Sequence, residues 1–220
     1  MRKYELTEET KTLADGTVLH RIRAVKDFAL ADGTEVLAGD LGGWIEKEYN
    51  LSHGGYAWVC GDARVYGDAK VCGDARVYGD ARVFGDALVY GYAEVFGDAL
   101  VYGDAEVYGD ALVYGDARVF GYARVYGDAR VSGYAEVCGD AEVKSIRDYA
   151  VFKNGWSSGR WFTYTRSDRK WKVGCFHGTG EELIAKAYED SELSGKCYET
   201  IVRAQEAIDK AIEAEKGETK

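Results

Sequence analysis

Fifteen valines recur at an unbroken spacing of six residues, from Val59 to Val143, and each has an alanine two positions before it. Between residues 56 and 143 the chain reads almost throughout as Gly-(Asp/Tyr)-Ala-x-Val-(Tyr/Phe/Cys). Self-similarity at a short fixed period is typical of a solenoid, in which each unit packs only against its neighbours. The repeat therefore constrains the fold class before composition is considered.

Each repeat predicts one short β-strand and one corner. In the run Ala-x-Val-aromatic, successive side chains point to opposite sides, so Ala and Val share one face and the other two residues share the opposite face. Glycine tolerates positive φ and aspartate bonds its local backbone, so both suit the bend. Strands that keep one direction through two-residue corners form a parallel β-helix. Three faces of about 13 Å each enclose a channel that Val and Ala fill, whereas four would leave a hole.

The hexad Val-Tyr-Gly-Asp-Ala-Arg at residues 65–70 resembles the hexapeptide-repeat motif of left-handed triangular β-helices. The resemblance implies an all-β solenoid, a left-handed triangular parallel β-helix of about five coils. Proteins of this superfamily are usually trimers, and many are acyltransferases. The flanking segments also resemble uncharacterised hexapeptide proteins of bacteria and their phages, some of which are labelled transferases on fold alone.

The repeat divides the chain into three segments. Residues 1–53 alternate polar and apolar around two Asp-Gly turn signals and predict a small N-terminal β cap. Residues 54–146 form the predicted β-helix. Residues 147–220 predict a C-terminal α+β segment, a hairpin followed by two helices.

Within the C-terminal segment, the hairpin strands are expected at residues 160–165 and 170–176. Thr179 and Glu182 are spaced as a capping box, which predicts a helix from about residue 180 to 190. Apolar residues at helical spacing predict a last helix from about 195 to 216.

Composition indicates a soluble acidic protein. The chain has 38 acidic and 28 basic side chains and a net charge of −10, which argues against non-specific binding of nucleic acids. We expect no membrane partner, because there is no apolar run of spanning length and no secretory leader. Five cysteines without Cys-x-x-Cys spacing suggest reduced thiols, and hence the cytoplasm of a bacterium, or of the host if a phage encodes the protein.

With three hexads per coil, arginines and aromatic residues come together on one face of the β-helix. Both types are enriched in the centres of protein interfaces, and so large an aromatic exterior is unusual for a monomer. The other two faces are nearly as aromatic, so a purely structural ladder of rings is the simpler interpretation. The functional interpretation is an interface between subunits, with a homotrimer as the expected assembly. Its predicted residues are Arg64, Tyr66, Arg82, Phe84, Tyr102, Arg118 and Phe120.

The predicted C-terminal hairpin reverses the acidic character of the chain. Asp168 is the only acid between residues 160 and 172. Guanidinium groups hold phosphates and aromatic rings stack on bases, so a small anionic ligand such as a nucleotide is conceivable, although a solvated hairpin is the simpler interpretation. The candidate ligand-binding residues are Arg160, Trp161, Tyr164, Arg166, Arg169, Lys170, Trp171 and Lys172.

Catalytic groups are scarce in the repeat. An acyltransferase of this fold needs a general base, usually histidine, but no histidine lies between His53 and His177. Either residue could act only by reaching a neighbouring subunit, and acetyl-CoA or another acyl-CoA would then be the cofactor. Three histidines, none of them on the coils, do not suit a zinc site, and we interpret the corner aspartates as turn caps; no metal and no other cofactor is expected.

The sequence favours a non-catalytic oligomeric binding or scaffold protein. One possibility is a phage-encoded factor that sequesters a small anionic ligand or a protein of the host. The alternative is a hexapeptide-type acyltransferase, dependent on acyl-CoA, with a site between subunits. Fold resemblance is the main support for that alternative, and fold alone does not determine function.

Overall fold

The computed structural model describes residues 2–218, and the side chains of residues 2–215. The described chain divides into two compact units, residues 2–148 and residues 149–218. The first contains the repeats and the second contains both α-helices. No helix in the described residues combines the length and the apolar character needed to span a bilayer.

The N-terminal unit begins with five strands that precede the regular hexads. They are β1 (Tyr4–Thr12), β2 (Val18–Ala24), β3 (Phe28–Ala29), β4 (Glu35–Val36) and β5 (Leu41–Ile45), and a 3₁₀ turn follows at Glu48–Asn50. Strands β1, β2 and β5 pair in antiparallel fashion in that order. Strands β3 and β4 form a separate antiparallel pair.

Every hexad then contributes one short strand, since only the residue before each valine and the valine itself lie in the straight part of most repeats. These strands are β6 (Trp58–Val59), β7 (Arg64–Val65), β8 (Lys70–Val71), β9 (Arg76–Val77), β10 (Arg82–Val83), β11 (Leu88–Val89), β12 (Glu94–Val95), β13 (Leu100–Gly103), β14 (Glu106–Val107), β15 (Leu112–Val113), β16 (Arg118–Gly121), β17 (Arg124–Val125), β18 (Arg130–Val131), β19 (Glu136–Val137) and β20 (Glu142–Val143).

The hexad strands form three parallel walls. The first wall contains β5, β7, β10, β13, β16 and β19, the second wall β8, β11, β14, β17 and β20, and the third wall β6, β9, β12, β15 and β18. In the register of the first wall, Arg82 lies between Arg64 and Leu100. Each step along a wall spans three hexads, so the predicted three-walled parallel β-solenoid is confirmed. Its left-handed sense stays a prediction.

The interior and the ladder explain why the repeat folds this way. The repeated Val and Ala side chains are fully buried in the solenoid, and each buried valine contributes roughly 1.5–3 kcal/mol. The backbone N–H of Arg82 donates to the carbonyl of Ala99 at 2.9 Å, and that of Phe84 donates to Val101 at 3.0 Å. Burial on the inside and hydrogen bonds along the axis therefore act together in every coil.

The structure has about six turns rather than about five, because a coil without hexads precedes the repeats. Trp44 and Ile45 of β5 pair in parallel with Arg64 and Val65, and Leu51 forms a bridge with Val71. The step from each of these residues to its partner is two positions longer than three hexads. The additional length falls after Leu51, in the corner that contains His53.

Side chains from the N-terminal strands and the 3₁₀ turn complete this first coil. The Lys3 ammonium donates to the carbonyl of Ala57 at 2.6 Å, and the Tyr4 hydroxyl donates to that of Leu51 at 2.8 Å. The Asn50 amide donates to the carbonyl of Ala69 at 2.8 Å. Buried backbone acceptors need such partners, so these side chains replace the missing ladder neighbours.

The C-terminal unit is a four-stranded antiparallel meander with two helices. A 3₁₀ turn at Ile146–Asp148 precedes it. Its elements are β21 (Tyr149–Lys153), β22 (Trp161–Thr165), β23 (Lys170–Val173), β24 (Phe176–Gly178), α1 (Gly180–Asp190) and α2 (Glu192–Glu218). The predicted hairpin is the central pair of this sheet. The strand expected to reach residue 176 instead ends at Val173, because the chain bends at Gly174, where φ is +54°.

The helices of this unit begin close to the positions that the sequence predicts. Thr179 Oγ1 accepts the N–H of Glu182 at 3.3 Å, and Glu182 Oε2 accepts the N–H of Thr179 at 2.8 Å, which completes the predicted capping box. The core between sheet and helices contains Phe162, Tyr164, Trp171, Leu183, Ile184, Ala187, Tyr198 and Val202.

Candidate functional site

A continuous column of stacked rings follows the first wall. The ring centroids of Tyr66, Phe84, Tyr102 and Phe120 are separated by 5.0, 4.9 and 4.9 Å, with interplanar angles of 2° to 4°. This spacing is that of neighbouring strands in a sheet. The rings are half-buried, so each covers its neighbours with its faces and presents an edge to the outside.

Arginines accompany this column on the same wall. Arg64, Arg82 and Arg118 occupy the outward position before the valines of β7, β10 and β16. Arg82 makes no hydrogen bond or ion pair with any described residue. The Nε–H group of Arg64 is buried and has no hydrogen-bond acceptor among the described residues. Arg118 lies 3.4 Å from Glu136, and its side chain is 51% exposed. The first wall therefore presents cationic groups next to aromatic edges.

The other two walls carry similar ring columns with acidic residues beside them. The rings of Tyr78, Phe96 and Tyr114 stack on the third wall, and those of Tyr90, Tyr108 and Tyr126 on the second. The Tyr78 hydroxyl donates to Glu94 at 2.9 Å and that of Tyr126 donates to Glu142 at 3.2 Å. Burial, followed by this bond to Glu94, raises the pKa of Tyr78 to about 12. Cations also occupy the outward positions of these walls, Lys70 and Arg124 on the second and Arg76 and Arg130 on the third, while Glu136 lies on the first. The three walls are thus alike in shape, and each carries both cations and acids beside its rings.

His53 lies in the irregular corner of the first coil. Its ring stacks on Tyr4 with centroids 4.3 Å apart. Nδ1 accepts the backbone N–H of Lys3 at 3.3 Å, and Nε2 lies 3.0 Å from the carboxylate of Glu48. The hydrogen bond from the His53 ring is the main cause of the lowered pKa of the Glu48 carboxyl group. A general base needs an available lone pair, and in this arrangement both ring nitrogens are engaged in holding the coil.

His177 lies in the other compact unit, on β24. Its Nε2 is 4.0 Å from the carboxylate of Asp168, and its side chain is 28% exposed. Asp168 also accepts the hydroxyl of Thr165 at 2.5 Å. The two histidines considered for catalysis therefore belong to separate units and have different surroundings.

The candidate ligand residues of the C-terminal unit fall into several environments. Tyr164 and Trp171 are buried in the core, so neither can stack on a ligand at the surface. Arg160 and Trp161 are exposed at the start of β22. Lys170 and Lys172 lie on β23, and Arg166 and Arg169 lie in the turn between β22 and β23. The structure therefore does not bring the predicted residues together as one site.

Acidic residues of α2 partner the central arginines of this set. Asp209, which is buried, accepts the Tyr164 hydroxyl and the Nε–H of Arg166, the latter at 3.0 Å. Glu213 accepts from Arg169 at 2.9 Å. The positive charge of the β22–β23 turn is therefore largely balanced within the unit. The sequence shows these acids only as part of a polar helix much further along the chain, without a local signal that connects them to the turn.

Two cavities lined by described residues of the C-terminal unit include candidate ligand residues. The first, of about 380 Å³, is lined by Tyr164, Arg169 and Trp171 together with residues of α2. The second, of about 220 Å³, lies beside the loop between β21 and β22 and includes Arg160. Among the described residues, no group of three or more His, Cys, Asp and Glu side chains is placed to hold a metal ion.

Comparison with known proteins agrees with the architecture. Residues 75–91 and 123–139 match the family described as "YdcK Beta solenoid repeat". The chain is also 39% identical over 66 residues to the "Uncharacterized acetyltransferase YdcK" of Escherichia coli (strain K12). That alignment covers 27% of this chain and 19% of the relative, so it spans about a fifth of the relative's length. The matches and the three-walled solenoid fit a hexapeptide-repeat-like family that includes proteins with transferase labels.

Proposed function

We propose that this protein is a non-catalytic binding or scaffold protein that assembles as a homotrimer through the first wall of its solenoid. The observation that carries the proposal is the half-buried column from Tyr66 to Phe120 with cationic side chains beside it. Aromatic rings and arginines dominate the binding energy of protein interfaces. A second copy of the same chain offers a surface with the matching repeat.

The acidic edge, defined as Asp74, Asp110 and Asp128, supplies the complementary charge in this proposal. It lies at the corner between the second and third walls, opposite the first wall, and the exposed rings of Tyr56 and Tyr92 occupy its other positions. Both surfaces repeat once per coil. Contact of one protomer's first wall with the acidic edge of the next is a heterologous interface, which closes into a ring under threefold symmetry.

Charge reversal at two positions tests this interface. Arg118→Glu is expected to shift the protein from trimer to monomer in analytical ultracentrifugation, because the reversed charge faces the acidic edge. Asp110→Arg, on that edge, should do the same, and the double variant should recover the trimer. Removal or reversal of a rim charge changes affinity most at low salt, so the measurements belong at low ionic strength.

Arg124→Glu is the matched control for this experiment. Arg124 lies on the second wall, its side chain is 52% exposed, and it pairs with Glu142 at 3.4 Å, as Arg118 does with Glu136. The control should remain trimeric. A wild-type protein that is monomeric at all concentrations, or a trimer that only Arg124→Glu dissociates, would contradict the proposal.

The most specific version of this function is a phage-encoded protein that sequesters a host protein on its solenoid. A partner that competes with self-association would occupy the same column of rings. Capture of a small anionic ligand would instead use the C-terminal unit, which has the donors for it.

A second candidate is an acyltransferase that uses acetyl-CoA. It is favoured by the name of the Escherichia coli relative, whose printed label is an acetyltransferase. The engaged nitrogens of His53 oppose it, and His177 would then have to provide the base. Calorimetric titration with acetyl-CoA tests it, with binding lost in His177→Ala and retained in His20→Ala, whose ring lies 3.3 Å from the carbonyl of Thr7 in the N-terminal strands. No heat at millimolar acetyl-CoA would exclude this candidate.

A further inference from the structure

The smaller cavity of the C-terminal unit has an unusual balance of hydrogen-bonding groups. It has a volume of about 220 Å³ and lies between the loop that follows β21, the strands β23 and β24, α1 and the first two turns of α2. All of its lining residues belong to this one unit. Ligand pockets of drug-sized molecules run from roughly 300 Å³ upward, so the cavity suits a compact molecule.

The loop on one side of the cavity is held in place by Asn154. This buried side chain accepts the backbone N–H groups of Trp156 and Ser157 at 3.2 and 2.9 Å. Its amide group donates to the hydroxyl of Tyr198 on α2 at 3.1 Å. The loop from Asn154 to Arg160 is therefore organised before any ligand arrives, which lowers the entropic cost of binding.

The polar part of the lining includes hydroxyl donors without an acceptor among the described residues. Ser194 is only 5% exposed, and its hydroxyl has no hydrogen-bond partner among the described residues. The Tyr198 hydroxyl accepts from Asn154 and has no described group to donate to. The Ser194 hydroxyl is not enclosed in the protein, and both hydroxyls belong to lining residues of the cavity, so a ligand that supplies acceptors would gain hydrogen bonds here.

Two cationic side chains line the cavity. Arg160 and Lys186 are exposed, and neither side chain makes an ion pair or a hydrogen bond with a described residue. Asp190 is the only carboxylate among the described lining residues, which leaves them one net positive charge in a protein whose net charge is −10. Guanidinium and ammonium groups beside hydroxyl donors are the usual recognition set for phosphate.

The lining also has an apolar part. It consists of Val173, Phe176, Leu183 and Ala187, and the last two are buried in the core of the unit. A ligand that fills the cavity therefore needs an apolar body attached to its acceptor group. Neither an inorganic ion nor a neutral hydrocarbon satisfies both parts of the lining.

We infer that this cavity binds a small phosphomonoester with a compact apolar or aromatic body. Arg160 and Lys186 contact the phosphate oxygens, the hydroxyls of Ser194 and Tyr198 donate to them, and the body lies against Phe176 and Leu183. The inference rests on the small-ligand version of the binding function proposed above and gives it a specific form, but the site is separate from the solenoid wall. Arg118→Glu, which tests the wall, should leave ligand binding unchanged.

Calorimetric titration of the full chain with phenyl phosphate tests the inference. Phenyl phosphate should bind more tightly than inorganic phosphate or phenol, since each of these satisfies one part of the lining. Arg160→Gln and Lys186→Gln should each weaken binding roughly tenfold, because each removes a charge-assisted bond to the phosphate. Ser194→Ala removes a neutral donor and should weaken binding by roughly fivefold.

Lys210→Gln is the matched control, because it removes one positive charge from the lining of the larger cavity of the same unit. It should change the affinity less than twofold. Absence of binding at millimolar phenyl phosphate, equal affinity for phenyl phosphate and inorganic phosphate, or loss of binding in Lys210→Gln alone would each overturn the inference. Circular dichroism of α1 and α2 shows whether a variant that fails to bind is still folded.

Discussion

The corner glycines allow a controlled measurement of how much contact between coils contributes to the solenoid. Gly85 has φ of +73°, and a Cβ placed on it would lie 2.9 Å from the backbone nitrogen of Gly103 in the next coil. Gly133 occupies the same position of its repeat with φ of +63°, but a Cβ there would meet no described atom within 4 Å. The two sites share the backbone strain and differ in the neighbour.

The expected costs follow from these two terms. Alanine at positive φ costs roughly 1–2 kcal/mol, which is the whole penalty for Gly133→Ala. Gly85→Ala incurs the same cost and also forces the backbone of Gly103 to move, and overpacking of this kind costs typically about 1–3 kcal/mol more. We therefore expect Gly85→Ala to destabilise the solenoid by roughly 2–5 kcal/mol in total.

Native-state hydrogen exchange is the appropriate assay, because it reports the free energy of local opening coil by coil and keeps the C-terminal unit out of the measurement. The ladder amide of Phe84, which donates to Val101, is a suitable probe. Its protection should fall roughly tenfold to a hundredfold further in Gly85→Ala than the amides next to residue 133 fall in Gly133→Ala. Equal losses of protection would refute the idea that close packing of successive corners contributes to stability.

Three further outcomes follow from individual side chains. Burial lowers the pKa of Lys3 from 10.5 to about 8. Between these two pH values the unfolded chain holds a proton that the native state has lost, so the free energy of unfolding, and with it the urea midpoint, should rise with pH. Lys3→Met should remove that rise. Thr179→Ala should destabilise the C-terminal unit by about 1 kcal/mol in urea denaturation, whereas Thr179→Ser should retain the cap; equal loss in both would contradict the capping role. Cys175 is exposed and Cys138 is buried, so a thiol reagent should label Cys175 first and reach Cys138 only after denaturation; early labelling of Cys138 would contradict its burial.

The regular part of the fold could be predicted because each hexad contains the residues that determine its own strand and corner. Val89 and its equivalents face inward, Gly91 and its equivalents bend the chain, and the three-hexad register follows from three identical sides. The first coil could not be predicted in this way. Ile45 and Leu51 face inward there without the surrounding motif, and the coil is completed by side chains such as Lys3 that are distant in sequence.

The candidate sites also differ in whether the repeat alone predicts them. The column of Tyr66, Phe84, Tyr102 and Phe120 follows directly from the period, and the structure places these rings in register. The charge cluster in the β22–β23 turn was harder to interpret, because its acidic partners lie on α2 and only tertiary packing brings them together. Local composition shows an excess of one charge but not the partner that a later helix supplies.

The three-hexad coil restricts how such a gene can change in length. Loss or duplication of three hexads would shorten or lengthen the rod by one turn and leave every downstream side chain on its original wall. A change of a single hexad would rotate all that follows by one wall, so that Arg118, for example, would leave the column of Arg64 and Arg82. If the first wall is the surface under selection, tolerated insertions and deletions in descendants of this chain should come in whole coils rather than in single hexads.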